Sequence, residues 1–159
     1  MITAVDTNIL LDILRQDPLF CESSKNLLQR HINMGPIIIS PIVYSELLGF
    51  FLKYDNDSSV NKLEEFLKEL SINVSIFGKE DLVSAAKAWQ NFSQASGVTC
   101  PKCGGINIFN CAKCDAKVLW RNHILTDFLI GAHAQNHAEV LLTRDRGYYK
   151  KYFKVKIMP

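Results

Sequence analysis

Two groups of side chains in this 159-residue chain have types and spacings suited to chemistry. The first is a run of four cysteines, Cys100-Pro-Lys-Cys103-Gly-Gly and then Cys111-Ala-Lys-Cys114. Each Cys-x-x-Cys turn aims two sulfurs the same way, and two facing turns form the tetrahedral thiolate shell that Zn²⁺ prefers. Gly104 and Gly105 suit the tight reversal after the first pair, and amide donors in such turns offset thiolate charge. In a cytosolic chain this pattern reads as a metal site and not as a disulfide framework. Protein ligands fill all four positions, so the zinc is expected to be structural. Seven residues between the pairs organise little core of their own. Residues 97–117 are therefore expected to form a four-cysteine zinc knuckle, a zinc-ribbon-like insertion in a larger domain. Two readings of its role stay open. Either zinc only orders a long loop, or Lys102, Lys113, Lys117 and Arg121 form a basic arm on substrate phosphates.

The second group is acidic. Asp6 follows directly on the β-rich run Ile2 to Val5, and Asp145 stands just beyond Leu141-Leu142-Thr143. In open parallel sheets, sites form outside the carboxyl ends of strands, so two acids at two such ends can face one crevice. Glu46 lies near a helix start after a second strand, and Asp127 opens a later helix with Gly131 one turn on. Any one of these acids alone reads as a cap or a solvated residue; all four in this order read as a gathered set. Converging carboxylates without His or Cys among them favour a hard, oxygen-seeking ion such as Mg²⁺ or Mn²⁺. Without a cation they raise one another's pKa values. A divalent ion relieves that repulsion, activates a water and stabilises charge developing on a phosphate in transfer.

The elements that must position these residues alternate between short β-rich runs and amphipathic stretches, which favours an α/β fold with a mainly parallel sheet. Ile2 to Val5, Ile37 to Ile39, Val74 to Phe77 and Glu139 to Thr143 read as strands, and Phe153 to Ile157 as a last edge strand. Helices are expected over Phe20 to His31, from Ser40 onward, over Val60 to Leu70, over Lys79 to Ser93 and from about Leu125 to Gln135. Ser40 can cap its helix with Pro41 in the first position, where no amide donor is needed. Leu82, Ala86 and Trp89 are expected to face the core, and Asn136 to end its helix in a left-handed conformation.

On these motifs the chain resembles a known family. Val5-Asp6-Thr7-Asn8-Ile9-Leu10-Leu11-Asp12, Ser45-Glu46-Leu47, Thr126-Asp127-Phe128-Leu129-Ile130-Gly131-Ala132 and Leu141-Leu142-Thr143-Arg144-Asp145 look like PIN-domain nucleases, with wording closest to VapC-type toxins of toxin–antitoxin systems. The resemblance covers nearly all of residues 1–159 as a single PIN-like domain, apart from the cysteine insertion. It implies a three-layer α/β/α fold and a metal-dependent endoribonuclease. Asp6, Glu46, Asp127 and Asp145 would be its catalytic, Mg²⁺- or Mn²⁺-binding quartet, with Asn8 and Thr143 orienting acids and water. It also implies an antitoxin partner and a homodimer. The insertion just before the Asp127 helix departs from the family, at its usual substrate entrance and partner groove.

Other residues divide between plainer roles. His133 and His137, four apart, are read as meeting a helix end or solvent more readily than a metal. Asp12 is read as a local hydrogen-bonding residue and Cys21 as a small buried helix residue. Arg144, Arg146, Lys150, Lys151 and Lys154 either grip RNA phosphates or solvate the terminal segment. Tyr148 or Tyr149 either stacks on bases or packs.

Composition sets bounds. Apolar residues make up 48% and charged residues 21%, enough for one folded domain with a full core. The formal charge of +2 neither demands nor excludes nucleic acid. No apolar run approaches a membrane span of ~18 residues, and no export signal is read at the N-terminus, so a cytoplasmic protein is expected. Two rivals stay beside the toxin reading: an RNA-processing or DNA-cleaving nuclease, and a non-catalytic zinc-containing RNA-binding module.

Overall fold

The computed structural model describes residues 1–53, 57–93, 98–99, 106–107, 109–110, 113, 117–118, 125–145 and 147–159. The four clustered cysteines, Lys102, Arg121, His123 and Arg146 lie outside these residues.

Five parallel strands form the central sheet. Thr3–Val5 (β1) pairs on one side with Ile37–Ile39 (β2), which pairs with Ile72–Val74 (β3). On the other side β1 pairs with Val140–Leu142 (β8), which pairs with Lys156–Met158 (β9). The order is β3-β2-β1-β8-β9. Every residue of β1 and of β8 is buried. Such near-continuous burial means that both faces of the sheet are covered by helices, as all-parallel sheets require.

The helices are Thr7–Leu14 (α1), Cys21–Ile32 (α2), Pro41–Leu52 (α3), Ser59–Glu69 (α4), Lys79–Ser93 (α5), Leu125–His137 (α6) and Gly147–Tyr152 (α7). Ser40 caps α3 by accepting from the Val43 amide at 3.3 Å, with Pro41 in the first turn. Cys21 is buried at the start of α2. An aromatic cluster of Trp89, Phe92, Phe128, Tyr152 and Phe153 binds α5 to α6 and to the terminal segment.

Between α5 and α6 lie two short antiparallel pairs. Val98–Thr99 (β4) pairs with Ile106–Asn107 (β5), and Phe109–Asn110 (β6) with Lys117–Val118 (β7). Each pair brackets one Cys-x-x-Cys in sequence.

Four sequence expectations are corrected. The third strand is Ile72–Val74, not Val74 to Phe77: buried Ile72 pairs with Ile37, while Ile76 stands exposed beyond the sheet edge. On α5 the inward face is Asp81, Ala85, Ala88 and Phe92; Leu82 and Ala86 are exposed, while Trp89, half-buried, does pack against the core as expected. A polar residue leads that face because its carboxylate has partners there, which apolar periodicity does not register. Asn136 is helical, since α6 continues to His137, and its side chain bonds Asp81. The terminal strand starts at Lys156, after Phe153 has turned into the core beyond α7.

Candidate active site

Strand β1 is the point at which the sheet reverses direction: β2 and β3 extend to one side of it, β8 and β9 to the other. A crevice opens outside the carboxyl ends of the two strands at such a switch point. Asp6 leaves β1 there, and Thr143, Arg144 and Asp145 leave β8. Glu46 reaches the same region from the second turn of α3, and Asp127 from the first turn of α6.

Asp6 is the deepest of the four and is held on both oxygens. As the N-cap of α1 it accepts from the Thr7 amide on Oδ1 at 2.8 Å. On Oδ2 it accepts from Asn8 Nδ2 at 2.6 Å and from the Thr143 hydroxyl at 2.7 Å. The Thr143 oxygen in turn accepts from Asn8 Nδ2 at 3.1 Å and from the Asp145 amide at 3.0 Å. One hydroxyl thereby fixes the deepest acid and the backbone of another. Asp145 Oδ1 accepts from the Gly147 amide at 2.9 Å, at the start of α7. The Thr7 hydroxyl donates to Glu46 Oε2 and steadies the one acid that stands exposed.

The four carboxylates act on one another. Burial pushes the Asp6 carboxyl up to about 7; hydrogen bonds from Thr143 and Thr7 oppose that rise, and the charges of Asp127 and Glu46 add to it. Asp127 is pushed up to about 6 by burial and then by Asp145 and Glu46. The donor set is all oxygen and carries more negative charge than its burial favours, so the residues present fit a hard divalent cation. The acids are spread rather than clenched. Among the described residues, the trio of His, Cys, Asp or Glu groups with all ligand atoms within 4.8 Å of one another is Glu80, Asp81 and His137, not members of the quartet. A spread set suits Mg²⁺-like ions, which keep several waters and take one or two carboxylates plus substrate phosphates.

The Glu80–Asp81–His137 trio has a complete structural account. Asp81 accepts from the Gly78 amide at 2.7 Å, Asn136 Nδ2 at 2.8 Å and His137 Nε2 at 2.9 Å. Those donors saturate the carboxylate and tie the start of α5 to the end of α6. His133 is buried, with Nε2 against the Ser75 carbonyl at 3.0 Å and the ring edge-on to Phe77. His137 stands in the last turn of α6, as read from the sequence, with its ring paired to Asp81; His133, buried within the helix, plays neither the helix-end nor the solvent role.

Gly131 has the close neighbour that its size invites: a methyl there would fall on the Phe153 ring, 2.6 Å from Cδ2 and 2.9 Å from Cζ. Arg144 is turned away from the crevice. Its guanidinium bonds Asp12 and lies over the Phe20 ring. Lys113, Lys150, Lys151 and Lys154 are exposed, whereas Tyr149 is buried and so packs instead of presenting a face for stacking. One polar group at the site, Thr7, has no role in the sequence reading although it stands between Asp6 and Asn8; its hydroxyl donates to Glu46.

A parallel sheet with acids gathered at its switch point defines the class, and the comparisons give the family. Residues 3–154 match the PIN domain, and the chain belongs to that family. Among solved structures it is similar to a chain in VapBC2 from Rickettsia felis bound to a DNA fragment from their promoter, at TM-score 0.66 and 22% identity over 99% of this chain and 98% of that one. It is also similar to a chain of VapBC-1 from nontypeable Haemophilus influenzae, at TM-score 0.64 and 18% identity over 99% and 97%. A third likeness is to FitAcB from Neisseria gonorrhoeae, at TM-score 0.63 and 20% identity over 100% and 97%. At these identities the likeness is one of fold. No curated protein sequence matches.

Proposed function

We propose that this PIN-domain protein is a divalent-metal-dependent endoribonuclease and the toxin of a toxin–antitoxin pair. The observation that carries the reading is the charge imbalance at the switch point, where Asp6 and Asp127 are held far above the ordinary carboxylate range by burial and by their acidic neighbours. A purely structural site has no use for that repulsion. Asp6, Glu46, Asp127 and Asp145 would hold Mg²⁺ or Mn²⁺, which when bound activates water and stabilises charge on a phosphate in transfer. Asn8 and Thr143 orient Asp6, Thr7 orients Glu46, and Asp127 and Asp145 are half-buried, open to an incoming RNA phosphate.

The toxin role is supported by the fold likeness to VapBC and FitAcB structures. With it we propose an antitoxin partner over the acidic crevice and a homodimer. No helix among the described residues is long and apolar enough to cross a membrane, which accords with action on RNA in the cytoplasm. Cys100, Cys103, Cys111 and Cys114 are assigned a structural Zn²⁺. Supporting this, each Cys-x-x-Cys falls in sequence between the two strands of one short antiparallel pair. Lys102, Lys113 and Arg146 are assigned to RNA phosphates; Arg144 is assigned first to its tie with Asp12.

Cleavage of a mixed RNA substrate by the partner-free protein, with and without Mn²⁺ or Mg²⁺, tests the reading beside Asp6→Asn. Metal-dependent products that disappear in the variant are expected. A folded, metal-binding protein that leaves RNA intact would sink the ribonuclease reading and turn the test to DNA.

A further inference from the structure

Tyr149 carries a polar atom that the packing of the described residues does not explain. Its side chain is 1% exposed, and its hydroxyl has no hydrogen-bond partner among the described residues. Buried tyrosine hydroxyls ordinarily find a partner, because one left unpaired carries its full desolvation penalty. The residue sits one turn beyond Asp145 on α7, a helix that packs on α6. Its ring lies 6.4 Å from that of Phe153, which fills the space over Gly131, one turn along α6 from Asp127. Tyr149 is thus wedged between the elements that present Asp127 and Asp145. Burial, and after it the charges of Asp6, Asp127, Asp145 and Glu46, keep its hydroxyl protonated, so it can serve as a donor.

We propose that the Tyr149 hydroxyl is a further polar group of the acidic crevice, donating a hydrogen bond to the oxygen ligand held among the carboxylates, a water or a substrate phosphate oxygen. Ionised carboxylates offer acceptors only, and the Asn8, Thr143 and Thr7 donors are already engaged with Asp6 and Glu46; a free donor there orients an oxygen whose lone pairs the acids would otherwise repel. This rests on the nuclease reading, and it adds a binding residue on an element that carries none of the family motifs.

Tyr149→Phe removes the hydroxyl and keeps the ring. With no partner lost in the folded chain, its metal-free melting temperature should equal or exceed that of the wild type. A merely structural hydroxyl would lower it. Calorimetric titration with Mn²⁺ alone, then RNA cleavage, separates the two oxygen sources. Mn²⁺ affinity weakened about tenfold or more would identify the water. Unchanged Mn²⁺ affinity with kcat/KM for RNA reduced about tenfold or more would identify the phosphate oxygen. A variant that binds Mn²⁺ and cleaves RNA like the wild type, or that melts lower without metal, overturns the proposal. Should the wild type itself fail to cleave RNA, the nuclease reading falls and the Mn²⁺ titration alone decides: weakened affinity supports the hydroxyl's role and unchanged affinity ends it.

Discussion

Arg144 Nη2 donates to Asp12 Oδ1 at 2.8 Å, across 132 positions of the chain. Asp12 is buried in α1, and its other oxygen accepts from Ser24 Oγ of α2 at 2.7 Å. The guanidinium lies 4.2 Å from the Phe20 ring centroid, and the Arg144 amide donates to Asn8 Oδ1 at 3.2 Å. The segment that carries Asp145 is therefore moored to the α1–α2 pair at both its backbone and its side chain.

The first prediction tests that mooring. Asp12→Ala strands a buried hydroxyl and an arginine that is partly exposed, so the loss should be about 1–3 kcal/mol, with solvent screening the ion-pair share. Arg144→Ala should also destabilise, and the double variant should lose less than the two single losses together. Denaturant unfolding of all four proteins measures this. If Arg144→Ala weakens RNA binding and leaves stability intact, the side chain is a phosphate contact and the mooring is idle.

The second prediction concerns charge at the crevice and its sign with pH. Asp6 near 7 and Asp127 near 6 lie above their ordinary value of 3.8, so the folded state binds more protons than the unfolded state between those values. Their contribution to stability is therefore fullest below 3.8, declines as pH rises and is lost above about 7. Asp127→Asn removes one such charge. The metal-free variant should melt higher than the wild type at about pH 7.5, by about 2–4 °C for each kcal/mol relieved, and the gap should close as pH falls toward about 4. Mn²⁺ should raise the melting temperature of the wild type and leave the variant nearly unmoved. A variant that melts lower than the wild type near neutral pH would mean that Asp127 has a structural partner.

Asp6 and Asp145 were legible because strand ends are marked by local signals: a β-rich run that stops at an acid. Glu46 was legible through Ser40 and Pro41, which fix the helix that bears it. The inward face of α5 was not. Apolar periodicity chose Leu82, whereas the face is led by Asp81, whose burial depends on His137 and Asn136 from 55 residues and more away. Pairings of that range leave no local trace, and the same holds for Arg144 with Asp12. The zinc assignment for the four clustered cysteines rests on the spacing of the Cys-x-x-Cys pairs, joined by the two hairpins that bracket them.

The third prediction uses Gly131. The added methyl of Gly131→Ala would overlap the Phe153 ring, whose face is already committed to Phe128 and Tyr149. Overpacking of this kind costs about 1–3 kcal/mol and shifts the helix or the ring. Because α6 carries Asp127 one turn earlier, metal-dependent cleavage should fall with stability. Phe153→Leu in the same chain should recover part of both. Full activity in a stable Gly131→Ala protein would show that the terminal segment yields without moving Asp127.

The last prediction separates the strut from the crevice. Asp81 is buried, and although burial alone would raise its carboxyl, hydrogen bonds from His137, Asn136 and the Gly78 amide hold it below the ordinary range. A depressed acid contributes stability that is present above its unfolded pKa and lost as pH falls through the folded value. His31 and His133 are lowered chiefly by burial, so the unfolded chain outbinds the folded one in protons just below their ordinary value of 6.5. Their stabilising share is full above 6.5, begins to fall earlier in acidification as pH drops below that value, and is lost as pH passes their lowered folded values. Asp81→Ala leaves three donors without an acceptor and should destabilise by about 2–4 kcal/mol. It should leave Mn²⁺ affinity at the crevice unchanged, because Asp81 serves the α5–α6 joint and none of the quartet's hydrogen bonds reaches it. Calorimetric titration of the folded variant with Mn²⁺ checks this: a lost binding event would move a metal site to Glu80, Asp81 and His137.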